Sequence, residues 1–293
     1  MAVVAPGSGF DRKSFDKGLE ELVRLGFEPV FEEGVFERSG YLAGSATHRA
    51  NLLTSAWKDP GIAGIFSVRG GYGTAQLLPL LEWERLRVNP KPFIGFSDLT
   101  ALLIYLNGSC GCVAFHGPML VNLAEANHGY NQRSLLGAIS GLEPLGQLCP
   151  EGVEVLKPGE ARGVLLGGTL TQIVASLATP YALDPPDNYV LLIDEIGERP
   201  YRVDRMLTQL IQSGLLSRAV GIVCAEFPDC SEPTGLNVRS VISERLVDFP
   251  GPILFGFPTG HTAGPLWTVP LGVTVNVVTG GAPGLIFEES AVR

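Results

Sequence analysis

The sequence predicts an α/β protein built in two parts, a parallel sheet covered by helices followed by a β-rich region. Three features carry that expectation: strand-length apolar runs alternate with helical periodicity through the first half, a Gly-, Pro- and charge-rich stretch follows, and the tail is dense in strand and turn signals.

Residues 2–5 are an apolar run that ends in Pro6-Gly7-Ser8-Gly9, the mark of a first strand. From Ser14, Leu19, Leu22, Val23 and Leu25 share one helical face, and Gly26 stops the helix. Phe27 to Val30 reads as a second strand and His48 to Trp57 as a helix. Residues 64–68 form a buried strand ending in Arg69-Gly70-Gly71-Tyr72-Gly73, and residues 93–96 form another, followed by a helix over 99–106. Strands separated by helices of this length imply right-handed βαβ units and a parallel sheet covered on both faces. Residues 1–145 are read as the first domain, 146–162 as a linker and 163–293 as the second domain. In the second, residues 169–177 are helical, 190–193 a strand, and 204–213 an amphipathic helix closed by Gly214. Residues 220–225 and 253–255 are apolar, and the segment from Thr268 to Phe287 is β-rich.

A chain of 293 residues, 45% hydrophobic and 17% charged, can bury a sizeable core. Its net charge of -9 argues against nucleic acid or an anionic membrane surface as partner, because both require a basic patch. No run of eighteen apolar residues suggests a membrane span, and Met1 leads into a strand rather than a signal peptide, so a cytoplasmic location is expected. The cysteines Cys110, Cys112, Cys149, Cys224 and Cys230 are scattered, and no second pair completes a zinc site around Cys110 and Cys112. They read as buried or incidental thiols.

Ser97 lies in Gly95-Phe96-Ser97-Asp98, where a strand passes into a helix without a loop. Such a turn lifts a serine hydroxyl above the sheet edge and aims the next backbone N–H, that of Asp98, into the same space. The same serine would also make a good helix cap, so the segment alone leaves nucleophile and cap both open. A general base must come from His48, His116, His128 or His261. His48 falls in a polar helix and His128 in a polar loop; His116 precedes Gly117-Pro118-Met119-Leu120 and could lie near a site. His261 sits in a glycine-rich loop between two strands, either exposed or functional. Asp194, Glu195 and Glu198 cluster at and just after a buried strand end, where α/β folds keep their chemistry, although Arg199, Arg202 and Arg205 could pair with them as plain ion pairs. Side-chain alternation sends Asp194 and Glu195 to opposite sides, so only one can orient a histidine. Arg69-Gly70-Gly71-Tyr72-Gly73 and Gly7-Ser8-Gly9 lack the Lys-Ser/Thr of a P-loop; they are turn glycines or a close backbone approach to a ligand.

The order of these segments resembles the L,D-carboxypeptidases of serine peptidase family S66. Val68 to Gly73, Gly95-Phe96-Ser97-Asp98, His116 to Leu120, Leu166-Gly167-Gly168-Thr169-Leu170, Leu192-Ile193-Asp194 through Arg205, and Gly260-His261 with Val269-Pro270-Leu271-Gly272 all contribute, over nearly the whole chain. The resemblance implies a flavodoxin-like parallel-sheet N-terminal domain, a smaller β-rich C-terminal domain and an active site between them. It further implies Ser97 as nucleophile, His261 as general base, and the backbone amides of Asp98 and of the Gly70-Gly71 turn, Gly71 in particular, as oxyanion donors. Such enzymes release terminal D-alanine from muropeptides in peptidoglycan recycling, and are cytoplasmic homodimers that need no metal or cofactor. The family shows Glu-Asp-x-x-Glu at the strand end where this chain has Asp194-Glu195-Ile196-Gly197-Glu198. Aligned through Ile196, Glu198 and Tyr201, the relay acid falls on Asp194, with Glu195 as the alternative. Thr169 stands where asparagine is common, a change expected to alter substrate contacts. Two further readings are a self-immunity hydrolase of the same family acting on peptidyl-nucleotide antibiotics of the microcin type, and a non-catalytic muropeptide-binding protein.

Overall fold

The computed structural model describes residues 1–125, 129–232 and 235–292. Its strands are β1 (Ala2–Val4), β2 (Ile65–Ser67), β3 (Phe93–Gly95), β4 (Ala114–His116), β5 (Gly146–Leu148), β6 (Glu154–Lys157), β7 (Glu160–Thr169), β8 (Tyr189–Asp194), β9 (Ala219–Ala225), β10 (Ile253–Phe257), β11 (Val269–Leu271), β12 (Thr274–Val278) and β13 (Gly284–Phe287). The helices are α1 (Arg12–Arg24), α2 (Ala46–Lys58), α3 (Trp83–Val88), α4 (Thr100–Gly108), α5 (Leu120–Leu123), α6 (Gln132–Ser140), α7 (Leu170–Ser176), α8 (Pro200–Gln212) and α9 (Val238–Arg245).

The first sheet runs β1-β2-β3-β4-β11, parallel through β4, with β11 antiparallel on its edge. The expected second strand at 27–30 shrinks to one parallel bridge between Val30 and Ala2. Counted as a strand, it gives the order 2-1-3-4-5 of a flavodoxin-like sheet. The parallel strands are only three residues long and buried throughout, because helices cover both faces. Alternation divides their side chains. Phe66, Ile94 and Phe115 pack with Phe15, Leu22, Leu120 and Leu135 of α1, α5 and α6, whereas Ile65, Phe93 and Ala114 face Leu53 and Trp57 of α2 and Leu102 and Leu103 of α4.

The second sheet has the order β5-β13-β12-β7-β8-β9-β10-β6, with β7 to β10 parallel and the outer strands antiparallel. Residues 146–162 are therefore not a linker: they supply β5 at one edge, β6 at the other and the start of β7. They read as linker because edge strands are short and half-exposed, and so carry little apolar periodicity.

Between the sheets lies α4, whose residues 100–106 are all buried. A helix apolar all round is a core helix, and this one packs Leu102, Leu103 and Leu106 in one cluster with Leu165, Leu192 and Val223 of the second sheet. It also starts directly after the short turn of residues 97–99, so the packing of α4 sets Ser97 relative to the second sheet. A close contact fixes the spacing. Gly168 of β7 has φ +137° and lies against Thr100, where an added Cβ would come within 2.6 Å of the Thr100 hydroxyl oxygen. The bare glycine lets the Thr169 N–H donate to that same hydroxyl at 2.9 Å. Replacing Gly168 with alanine should lower stability by about 2–4 kcal/mol through overpacking and backbone strain, seen as a lower denaturation midpoint; an unchanged midpoint would contradict the close packing described.

Candidate active site

The C-terminal ends of β3, β4 and β8 and the loop after β10 meet at one place. Ser97 has φ +66°, a left-handed conformation unusual for a residue with a side chain and costing about 1–3 kcal/mol. Two glycines make the strained turn possible. A Cβ on Gly95 would lie 2.2 Å from Leu99 Cδ1 and 2.6 Å from Ser67 Oγ, so the chain can fold back only over a bare α-carbon. A Cβ on Gly70 would lie 3.1 Å from Ser97 Cβ and 3.2 Å from the Asp98 nitrogen, which puts the Gly70-Gly71 turn directly over the serine. Neither the short turn at 97–99 nor α4 has a side-chain cap, so the capping alternative for Ser97 does not hold.

The glycine turn is moored from beneath. Asp98, 3% exposed, accepts from Thr74 N–H at 2.9 Å and from the Thr74 hydroxyl at 2.6 Å. Buried Arg49 donates to the carbonyls of Pro6, Gly44 and Gly73, tying three loops together; burial lowers its pKa, and the Asp98 carboxylate opposes that shift. The Tyr72 N–H donates to Ser8 Oγ at 3.0 Å.

Asp194 is fully buried at the end of β8. Its Oδ2 lies 2.5 Å from His261 Nδ1 and accepts the His261 backbone N–H at 3.1 Å. Facing a carboxylate, Nδ1 carries the ring proton and Nε2 is left free to accept one. Oδ1 accepts the Thr169 hydroxyl at 2.8 Å, and Nε2 of His116 lies 3.4 Å from it. Burial pushes the Asp194 pKa up, but the adjoining His116 and His261 rings outweigh it and hold the carboxyl below the usual carboxylate range. The loop can press this close because Gly260 has φ +68° and no side chain: a Cβ there would lie 2.5 Å from Asp194 Oδ2. Its neck is closed by Thr259, whose hydroxyl donates to Trp267 O at 2.8 Å, and its far side by Ala263 N–H on Glu226 at 2.8 Å. The His261 ring packs edge-on against Phe96, beside Ser97, at a centroid distance of 5.0 Å.

Glu195 faces away from His261. It accepts from the Thr171 N–H at 2.9 Å and hydroxyl at 2.5 Å, tying down the first turn of α7 on the side opposite Asp194, as strand alternation requires. Burial raises its pKa despite the Thr171 hydrogen bonds. Glu198 pairs with Arg202 at the surface, and the ion-pair partners of Asp194 are the two histidines rather than the arginines considered for it. Thr169 supports the carboxylate, a role its expected part in substrate contact did not anticipate. His48 bonds the Gly34 carbonyl at 2.8 Å as a structural residue, and His128 lies outside the described residues. The cysteines are free thiols; Cys149 is partly exposed and the others are buried. Arg49, Thr74, Thr100 and Thr259 escaped the sequence reading, because each acts through a partner at least 24 residues away along the chain.

Residues 1–117 match the LD-carboxypeptidase N-terminal domain and residues 162–277 the LD-carboxypeptidase C-terminal domain. The chain belongs to the LD-carboxypeptidase family. It is 36% identical to a carboxypeptidase-type protein of Streptomyces coelicolor over 277 residues, 93% of this chain and 88% of that protein. It is 30% identical to the murein tetrapeptide carboxypeptidase of Pseudomonas aeruginosa over 272 residues, 90% of this chain and 88% of the relative. Among solved structures, the muramoyltetrapeptide carboxypeptidase of Oxalobacter formigenes aligns with a TM-score of 0.86 at 26% identity, covering 99% of this chain and 100% of that one. The microcin C7 self-immunity protein MccF aligns at 0.88 but 21% identity, over 100% of this chain and 96% of its own, and shares the fold.

The raised Glu195 pKa has a stability consequence. A carboxyl whose folded pKa exceeds its unfolded value contributes stability that is fully present below the unfolded value and lost as pH rises through the folded one. Wild type should therefore gain stability relative to Glu195→Gln as pH falls from neutrality toward about 4.3, the ordinary glutamate value. Parallel thermal melts across that range check the sign; a gap that widens against wild type on acidification would contradict it.

Proposed function

We propose that this protein is a serine-type L,D-carboxypeptidase that releases the terminal D-alanine of murein tetrapeptides. The observation that carries the reading is the oriented pair at its centre. Asp194 holds His261 by both its backbone and its ring, and that ring packs on Phe96, the residue preceding a serine held in a strained turn under bare glycine. The family membership and the murein tetrapeptide carboxypeptidase among the relatives support the substrate class.

In the reaction so read, His261 Nε2 takes the Ser97 hydroxyl proton as Oγ attacks the carbonyl on the L-centre of the third stem residue. Negative charge gathers on the former carbonyl oxygen, and the N–H groups of Asp98 and Gly71 are its donors. A donor in such a hole contributes about 3–4 kcal/mol to the transition state. The tetrahedral species collapses as Nε2–H protonates the nitrogen of D-alanine, the C–N bond breaks and the acyl group stays on Ser97. Water, deprotonated by the same Nε2, then releases the tripeptide and restores the serine. Asp194 stays ionised throughout and stabilises the imidazolium that forms twice per cycle. The reading also includes a cytoplasmic homodimer without metal or cofactor, which rests on family resemblance.

Ser97→Ala, His261→Ala and Asp194→Asn should each lower D-alanine release by a factor on the order of 10⁴, whereas Glu195→Gln keeps near-wild-type turnover. Mass spectrometry of a defined muropeptide mixture supplies the readout. Full activity in Ser97→Ala would remove the mechanism, and damage confined to Glu195→Gln would move the relay. If the protein cleaves a processed peptidyl-nucleotide and no muropeptide, the substrate class is that of the self-immunity relatives; muropeptide binding without turnover would end the catalytic reading.

A further inference from the structure

Thr169 ends β7 and Asp194 ends β8, and the two are register partners on neighbouring parallel strands, so their side chains share one face. An ionised carboxylate only accepts, so the 2.8 Å contact between the Thr169 hydroxyl and Asp194 Oδ1 has one polarity: the hydroxyl donates. His116 Nε2 lies 3.4 Å from the same oxygen without a hydrogen bond, so among the described residues Thr169 alone fixes the direction of Oδ1. The other side of Thr169 is equally unambiguous. Its backbone N–H donates to Thr100 Oγ1 at 2.9 Å. Both threonines are buried, and water cannot readily replace either bond. Thr100 is the first residue of α4, and only Asp98 and Leu99 separate it from Ser97. These links close a circuit through both sheets. From Ser97 the chain reaches Thr100, whose hydroxyl holds Thr169; Thr169 holds Asp194, and Asp194 holds His261. The His261 ring then returns to Phe96, the residue before Ser97. That last contact is between ring faces and edges, so the directional bonds of the circuit lie at its rear, in the two threonines.

We propose that Thr169, backed by Thr100, is a positioning residue of the reaction: it holds Asp194 Oδ1 so that Oδ2 meets His261, and it ties that carboxylate to the helix that follows Ser97. The proposal rests on the Ser97–His261–Asp194 reading and assigns the alignment of those three groups to a hydrogen-bonded bridge between the sheets. Ser97 and His261 stand on different sheets, and a misplacement of about 1 Å between reacting groups can cost a factor on the order of 10² in rate. Thr169 therefore acts on how the reacting groups face one another, and its loss falls on turnover rather than on substrate binding. Gly168 is what permits the bridge, since only a residue without a side chain admits Thr100 at that point of β7.

Thr169→Val keeps the branched shape and the backbone N–H but removes the donor to Asp194. Measured where circular dichroism shows the variant folded, its kcat for D-alanine release should fall about 10- to 100-fold with KM little changed. Labelling of Ser97 by a serine-reactive fluorophosphonate, which makes few substrate contacts, should slow by a similar factor. Thr169→Ser restores the donor and should recover most of both rates. Thr100→Val removes the acceptor behind Thr169 and should lower kcat in the same sense. Combined with Thr169→Val it should cost less than the product of the two single losses, because both break one bridge. Should Thr169→Val not fold, Thr169→Cys takes its place, since a thiol of similar size is a weak donor and kcat should again fall with KM unmoved. Wild-type kcat in the folded variant, a loss confined to KM, or an equal loss in Thr169→Ser overturns the proposal. Ser97→Ala and His261→Ala measured alongside separate the cases: full activity in either defeats the triad, whereas an inactive pair with unchanged kcat in the Thr169 variants defeats only the role of Thr169.

Discussion

A carboxylate withdrawn completely from water is costly unless donors surround it, and Asp194 is the point in this molecule where that requirement falls. Its two oxygens collect the Thr169 hydroxyl, the His261 backbone N–H and the His261 ring, with His116 against the remaining side. Those groups come from both sheets and from the loop after β10, so a single buried charge specifies how three parts of the chain dock. Losing one partner would leave the charge unsatisfied, which makes the site and the fold hard to perturb separately.

Around that charge, glycines determine what can approach what. Gly95 lets Leu99 fold back under the strained Ser97, Gly70 keeps the space over Ser97 and the Asp98 nitrogen open, Gly168 admits Thr100, and Gly260 lowers the histidine loop onto Asp194. In each case a methyl group would meet its neighbour at 3.1 Å or less. The strain at Ser97 persists because α4 is locked between the two sheets by Leu102, Leu103 and Leu106. Rigidity of the core and exposure of the hydroxyl thus have the same origin.

Much of this was legible in the chain itself. The alternation of short apolar runs with helices predicted the first sheet, and the period-two rule correctly separated Asp194 from Glu195, which the structure confirms by their different partners. Other features were hidden for identifiable reasons. The edge strands of residues 146–157 carry too few buried side chains to show a pattern, and so resembled a linker. Ser97 looked as much like a helix cap as a nucleophile, because only its positive φ and the glycine above it tell the two apart. Thr169, Thr259 and Arg49 serve through contacts 24 to 143 residues distant, which no local pattern encodes.

The central claim is that the Asp194–His261 pair makes Ser97 a nucleophile. Treating the protein with a serine-reactive fluorophosphonate and mapping the adduct by peptide mass spectrometry tests it most directly. The account predicts one adduct, on Ser97, forming far more slowly in His261→Ala and blocking D-alanine release in step with labelling. Continued release from fully labelled protein, or an adduct on another serine that abolishes activity, would contradict it.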